Sequence, residues 1–186
     1  RAAYPEVGLR FSSNIWLDER EKDADMEIRY GTGCWRGFTA HRLTWDELIP
    51  VCSPFLDNGL TPPQTPQELA NHTLLHVLGY KEGWGYWLNK TGHGDLDTPQ
   101  SFQLDTLITA LEMASQGQGI ALGRTSLVAG KLASGELVAP MQESVPTSEA
   151  FYLVTPDNSY KHPHADLFRE WLVAEAVREQ PAETLV

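Results

Sequence analysis

Three short stretches bring together residue types that could do chemistry. Gly31-Thr32-Gly33 follows an alternating run, Met26 to Tyr30. Glycines there let the backbone approach a ligand closely, and successive N–H groups can hold an anion. A plain tight turn is the competing reading. Ser53, between Cys52 and Pro54, is either a pocket hydroxyl or a turn residue. It lacks the Gly-x-Ser-x-Gly elbow that exposes a nucleophile. His72 and His76 have the i, i+4 spacing of metal ligands on a helix, but they fall on a loop and a strand, where that spacing does not converge. His162 and His164 are read the same way, so no metal is expected.

The remaining chemistry-bearing residues point to no reaction. Gly117, Gly119 and Gly123 follow a helix and open a strand, the reverse of a dinucleotide fingerprint. Cys34 has only Arg36 beside it to lower its pKa, and Cys52 reads as a small core residue. Carboxylates are numerous, yet none forms a recognisable acid/base pair. The expectation is a binding protein without cofactor or catalytic residues, not an enzyme.

Alternating α and β segments must position these residues. Val7–Phe11, Met26–Tyr30, Glu47–Cys52, Thr73–Val77, Gly119–Gly123, Glu136–Ala139 and Phe151–Val154 read as strands. Thr65, Pro66 and Glu68 form a capping-box arrangement for a short helix. Trp84–Lys90 reads as a helix closed by Gly92, and Ser126–Ser134 as one closed by Gly135. Asp105 is expected to N-cap a helix with apolar positions Leu107, Ile108, Leu111 and Ala114, ended by Gly117. Pro163 starts a last helix carrying Leu167, Phe168, Trp171 and Leu172 on one face, with Trp171 expected in the core, and Pro181 ends it. Turn and proline signals near 55–63 and 141–149 suggest two crossings. They divide the chain into lobe I, residues 1–57 plus 148–186, and lobe II, residues 61–142.

Composition limits the partners. The 186 residues carry 14 Lys+Arg against 25 Asp+Glu, a net charge of −11. Nucleic-acid binding needs a basic face to release counterions, so this chain is a poor DNA binder by itself. Six Trp, six Tyr and six Phe argue against disorder. No apolar run approaches the ~20 residues of a membrane helix, and no signal-peptide layout is present. Two isolated cysteines fit a reducing cytoplasm.

The order of segments resembles the effector-binding domain of LysR-type transcription regulators. Ala3-Tyr4-Pro5-Glu6-Val7 is similar to the end of that domain's first helix and its second strand. Residues 23–35 resemble the "D-A-D-I-x-I-R-Y-G-x-G-x-W" stretch of the branch containing glycine-cleavage and β-lactamase regulators. Leu48–Pro54 resembles its "P-V-C-S-P" strand, and Ala114–Arg124 its "A-x-x-G-x-G-I-A-L-G-R" stretch. Leu132–Val138 and Phe168–Leu172 complete the set.

The resemblance implies two doubly wound α/β lobes with an inter-lobe cleft, in the manner of type II periplasmic binding proteins. A small-molecule effector, anionic or amino-acid-like given the loop donors and Arg29, would sit in that cleft. Gly31, Thr32, Gly33, Ser53, Phe102, Gln103 and Tyr152 are expected to face it, with Phe102 and Gln103 just before a helix N-terminus. The resemblance also implies a homodimer or tetramer, no membrane contact, and DNA binding through an N-terminal winged helix-turn-helix that the sequence does not include. The domain's opening strand and helix, which precede Tyr-Pro, are absent as well. Val7–Phe11 is therefore expected to need another strand to pair with. A transporter-associated solute-binding protein shares the architecture and is the alternative; an export signal upstream of Arg1 would favour it. An enzyme on the same fold ranks last.

Overall fold

The computed structural model describes residues 7–12, 24–98, 101–157, 162 and 164–178. Two compact units divide the chain: residues 1–44 with 149–186 form the first, and residues 45–148 the second.

In the first unit, β1 (Glu27–Gly31), β2 (Phe38–Arg42) and β8 (Ala150–Pro156) form an antiparallel sheet ordered β1-β8-β2. The central strand has neighbours on both sides, and its Leu153 and Val154 are buried. Tyr30 lies opposite Phe151, their rings 5.1 Å apart and edge to face, a cross-strand pair that fixes the register. Helix α4 (Ala165–Arg178) contacts β2. Trp171, expected in the core, is 44% exposed and packs against Phe168 instead.

The second unit carries a mixed sheet in the order β5-β4-β6-β3-β7. Its strands are β3 (Glu47–Val51), β4 (Leu74–Val77), β5 (Ser101–Leu104), β6 (Ile120–Arg124) and β7 (Val145–Pro146). β4 runs parallel to β5 and β6; β3 runs antiparallel to β6 and β7. The helices are α1 (Trp84–Lys90), α2 (Leu107–Ser115) and α3 (Thr125–Ala133). Side-chain alternation sends Leu48, Leu74, Ile120 and Leu122 to one face, where they meet Trp84, Trp87 and Leu88 of α1. Val51, Leu75 and Ala121 go to the other, where they meet Leu107, Ala110, Leu111 and Ala114 of α2 and Val128 of α3. With both faces covered, β6 is buried along its whole length.

Several expectations are corrected. Val7–Phe11 is not a strand; it is irregular, with Leu9 and Phe11 exposed. It has no neighbouring strand among the described residues, and extended backbone without one makes no ladder. The first change of unit falls between Thr44 and Trp45, not near 55–63, because β3 pairs with β6 and β7 of the second unit. The proline and turn signals at 54–63 mark a surface connection within that unit. Thr106, not Asp105, caps α2: its hydroxyl accepts from Thr109 N at 3.2 Å. Ile108 is 75% exposed, and Ala110 takes its place on the buried stripe with Leu107, Leu111 and Ala114. Glu136–Ala139 reduces to a bridge between Val138 and Cys52. Around Thr65, the Glu68 carboxylate accepts from Gln64 N and the Thr65 hydroxyl, closing a 3-10 turn at Pro66–Asn71. Pro163 and Pro181 lie outside the described residues.

Candidate functional site

The end of β1 delivers Gly31, Thr32 and Gly33, and the middle of β8 delivers Tyr152, 119 residues later by sequence. Gly33 has φ +87°, and a Cβ there would stand 2.8 Å from the Tyr152 ring. Both the backbone angle and the close approach demand glycine. Trp35 packs edge to face on Tyr152 with centroids 5.6 Å apart, and a Cβ on Gly31 would meet its ring at 3.1 Å. Four expected residues thus fall on one loop-and-strand surface of the first unit, with Thr32 exposed on it.

Arg29 stands nearby, but it does not offer its charge to an anion. Its guanidinium donates twice to Glu27, at 2.9 Å each, and lies 4.0 Å over the Phe38 ring. The expectation that Arg29 favours an anionic ligand therefore has no support in the local geometry.

The second unit carries Ser53, Phe102 and Gln103, and does not bring them together. Ser53 is buried at the end of β3. Its N–H donates to Ala114 O at 3.0 Å, and its hydroxyl accepts from Phe55 N at 3.2 Å. That is a turn role combined with tying down the end of α2. Because β3 is antiparallel to β6, Ser53 lies at the amino ends of β4 and β6. Phe102, 52% exposed, pairs with Leu75, and Gln103 pairs with His76 toward the carboxyl end of β4.

A cavity of about 40 Å³ lies at those carboxyl ends. Val77 ends β4, Arg124 ends β6 and Leu107 begins α2; all three line it. Ligands of α/β sheets collect at this edge of the parallel strands. Tyr80, Glu82, Trp84 and His76 complete the polar part of the wall. Arg124 is 2% exposed, with its guanidinium 4.0 Å over the Tyr80 ring. Burial raises the Tyr80 pKa, with Arg124 opposing that shift, and burial lowers the His76 pKa. Glu82 is 5% exposed. One carboxylate oxygen accepts from Ser148 N at 2.8 Å and Ser148 Oγ at 2.6 Å, while the other has no hydrogen-bond partner. Asp46 supports the wall from behind: its carboxylate accepts from Ser126 N at 2.7 Å, on the first turn of α3.

Sequence reasoning passed over Glu82, Tyr80 and Trp84. The one available signal was Arg124, an ionisable residue closing an otherwise apolar strand. Burial pushes the Cys52 thiol up to about 11, so it is unreactive at neutral pH, whereas Cys34 is exposed. His72 is buried on the turn before β4, and its pKa is lowered chiefly by burial, with Glu68 opposing. Among the described residues no cluster of His, Cys, Asp or Glu could hold a metal ion, and no helix is long and apolar enough to cross a membrane.

Comparison with known proteins adds relatives to this geometry. The family model for the LysR substrate binding domain matches residues 1–177. The glycine cleavage system transcriptional activator of Escherichia coli K12 is 33% identical over 180 residues, covering 96% of this chain and 59% of that protein. The transcriptional activator AmpR of Pseudomonas aeruginosa PAO1 is 33% identical over 184 residues, covering 96% of this chain and 60% of that protein. Among solved structures, the effector domain of the P. aeruginosa regulator AmpR superposes with a TM-score of 0.81 at 30% identity, covering 96% of this chain and 85% of that one. The chain thus spans about three-fifths of the length of these curated relatives. It belongs to the LysR substrate binding domain family.

Proposed function

We propose that this chain is the effector-sensing part of a LysR-type transcription regulator: it binds a small molecule and passes the binding event to a DNA-binding segment. The observation that carries the reading is the family match over residues 1–177, joined to a 30%-identical effector domain of the same fold. The net charge of −11 fits this division of labour, since an acidic chain is a poor partner for phosphates. DNA contact would come from a winged helix-turn-helix segment, and the assembly would be a homodimer or tetramer in the cytoplasm. The ligand would leave unchanged, because sensing requires only differential affinity for two states.

Gly31, Thr32, Gly33 and Tyr152 form the proposed effector surface of the first unit, and Phe102 and Gln103 are proposed effector contacts within the second. Ser53 is retained only as a structural residue. The test is a small-molecule screen against the chain, read by amide and indole resonances. A true effector should move the Gly33 amide and the Trp35 indole. Tyr152→Phe should weaken it about tenfold, equivalent to ~1.4 kcal/mol. A ligand whose affinity Tyr152→Phe leaves unchanged would remove that residue from the site. If no small metabolite moves either resonance, the sensing reading fails.

A further inference from the structure

The connection between β3 and the 3-10 turn at Pro66–Asn71 carries an asparagine followed by a glycine, Asn58-Gly59. Both residues are exposed. Gly59 N donates to Leu56 O at 3.0 Å, closing a turn, and Leu60 N donates to the Asn58 side-chain oxygen, Oδ1, at 3.0 Å. The second bond is an Asx turn. Gly59 has φ +74°, and open space surrounds the Cβ it lacks. The backbone on either side of this point is anchored to the end of α2. Asp57 N donates to Gly117 O at 3.0 Å, and Ser53 N donates to Ala114 O at 3.0 Å.

These contacts prepare the chain to react with itself. The ring closed by the Leu60–Asn58 bond contains Gly59 N, which folds the Asn58 amide carbon, Cγ, back toward that nitrogen. The Leu60 N–H also polarises the Cγ–Oδ1 carbonyl, as a donor aimed at an acyl centre does. Glycine has no side chain to crowd the approach. The bond from Gly59 N to Leu56 O is a single exposed turn bond, of the kind that opens locally at small cost. The other described asparagines lack this setting. Asn71 precedes His72 and Asn89 precedes Lys90, so a side chain stands beside each following nitrogen. Asn89 also lies in α1, with its amide nitrogen donating to Gly85 O at 2.7 Å.

We propose that Asn58 is a site of spontaneous modification, in which Gly59 N attacks the Asn58 side-chain amide and the residue ends as a mixture of aspartate and isoaspartate. Hydroxide takes the Gly59 N–H proton and the N–Cγ bond forms. The Cγ–Nδ2 bond then breaks and ammonia leaves, its extra proton supplied by water, which regenerates the hydroxide. Water opens the resulting cyclic imide, and Gly59 N recovers its proton. Opening at Cγ gives aspartate. Opening at the Asn58 main-chain carbonyl gives isoaspartate, whose backbone runs through the side chain and is longer by a methylene. Both products place a new negative charge beside Asp57, in a chain already at −11. Isoaspartate also displaces the turn next to the Asp57 anchor on Gly117 O. This chemistry is independent of what the chain binds.

The test holds the folded chain in mildly alkaline buffer at physiological temperature for several weeks. Each asparagine is followed by peptide mass, through the excess of OH over NH2, and fragmentation that tells isoaspartate from aspartate reads the product. The expected result is that Asn58 converts faster than Asn71 and Asn89, that isoaspartate is among its products, and that the rate rises with pH. Gly59→Ala should slow the conversion by about an order of magnitude, because its methyl group crowds the attacking nitrogen. The product analysis on the unaltered chain decides the matter even if that variant folds poorly. An Asn58 that keeps its amide throughout, or converts only once denaturant is added, would overturn the proposal. So would aspartate as the sole product, which is the mark of direct hydrolysis. Conversion no faster than at Asn89, or an undiminished rate in Gly59→Ala, would overturn it as well.

Discussion

Trp87→Ala should remove about 3–5 kcal/mol of stability, the cost of emptying a large buried site. Trp87 is fully buried at the centre of the α1 face, edge to face with Trp84 at 5.9 Å and clustered with Leu48, Leu74 and Ile120. Typical domains have only about 5–15 kcal/mol in total, so the loss should lower the urea midpoint substantially. The indole N–H of Trp87 has no hydrogen-bond partner. Trp87→Phe therefore sacrifices volume but no bond, and should cost about half as much or less. Equal losses for the two variants, or a loss below about 1 kcal/mol for alanine, would contradict the packing described for α1.

Gly117→Ala should cost about 2–4 kcal/mol, more than backbone conformation alone would explain. Gly117 has φ +80° and follows the cap of α2. Gly117 N donates to Ala114 O and Gln118 N donates to Met113 O, a Schellman closure that needs a left-handed residue here. A Cβ would also stand 2.6 Å from Phe55 O and 3.0 Å from Asp57 N, both backbone atoms with little freedom to retreat. The same backbone bonds back: Asp57 N donates to Gly117 O at 3.0 Å. Gly135→Ala is the control. Its φ is +74° with open space around the missing Cβ, so only the ~1–2 kcal/mol of left-handed strain applies. Denaturation curves for the two should separate clearly. If they coincide, the close approach of residues 55–57 to the end of α2 is wrong.

The elements that could be read from the sequence are those whose signals are local. Helices α1, α2 and α3 sit within a residue or two of their expected spans, because periodic apolar positions and terminal glycines encode them directly. Strand β6 was legible as a short apolar run between glycines. Strands β2 and β5 were not. Phe38–Arg42 and Ser101–Leu104 are short and partly exposed, and they exist because β8 and β4 supply partners from far along the chain. Val7–Phe11 failed for the opposite reason: it has the composition of a strand and, among the described residues, no strand beside it. The place where the chain changes unit was misread because prolines mark turns, whereas sheet membership of β3 is a tertiary fact.

The site divides along the same line. Gly33 was visible as a residue that needs freedom, and its closeness to Tyr152 follows once β8 pairs with β1. Ser53 carried a plausible hydroxyl, but the antiparallel direction of β3 puts it at the other end of the sheet from the cavity. Glu82 and Arg124 are 42 residues apart by sequence and carry no motif together. Only the parallel pairing of β4 with β6 brings the ends of those strands to one wall.

The central claim is that ligand binding to this chain controls a DNA-binding partner segment. The most direct measurement joins the chain to a LysR-type DNA-binding head and determines DNA affinity with and without a ligand that the chain binds. The account predicts a change of roughly 5–150-fold, the range of ordinary coupling energies, with DNA altering ligand affinity by the same factor. Saturating ligand that leaves DNA affinity and footprint unchanged, or ligand consumed during the measurement, would contradict it.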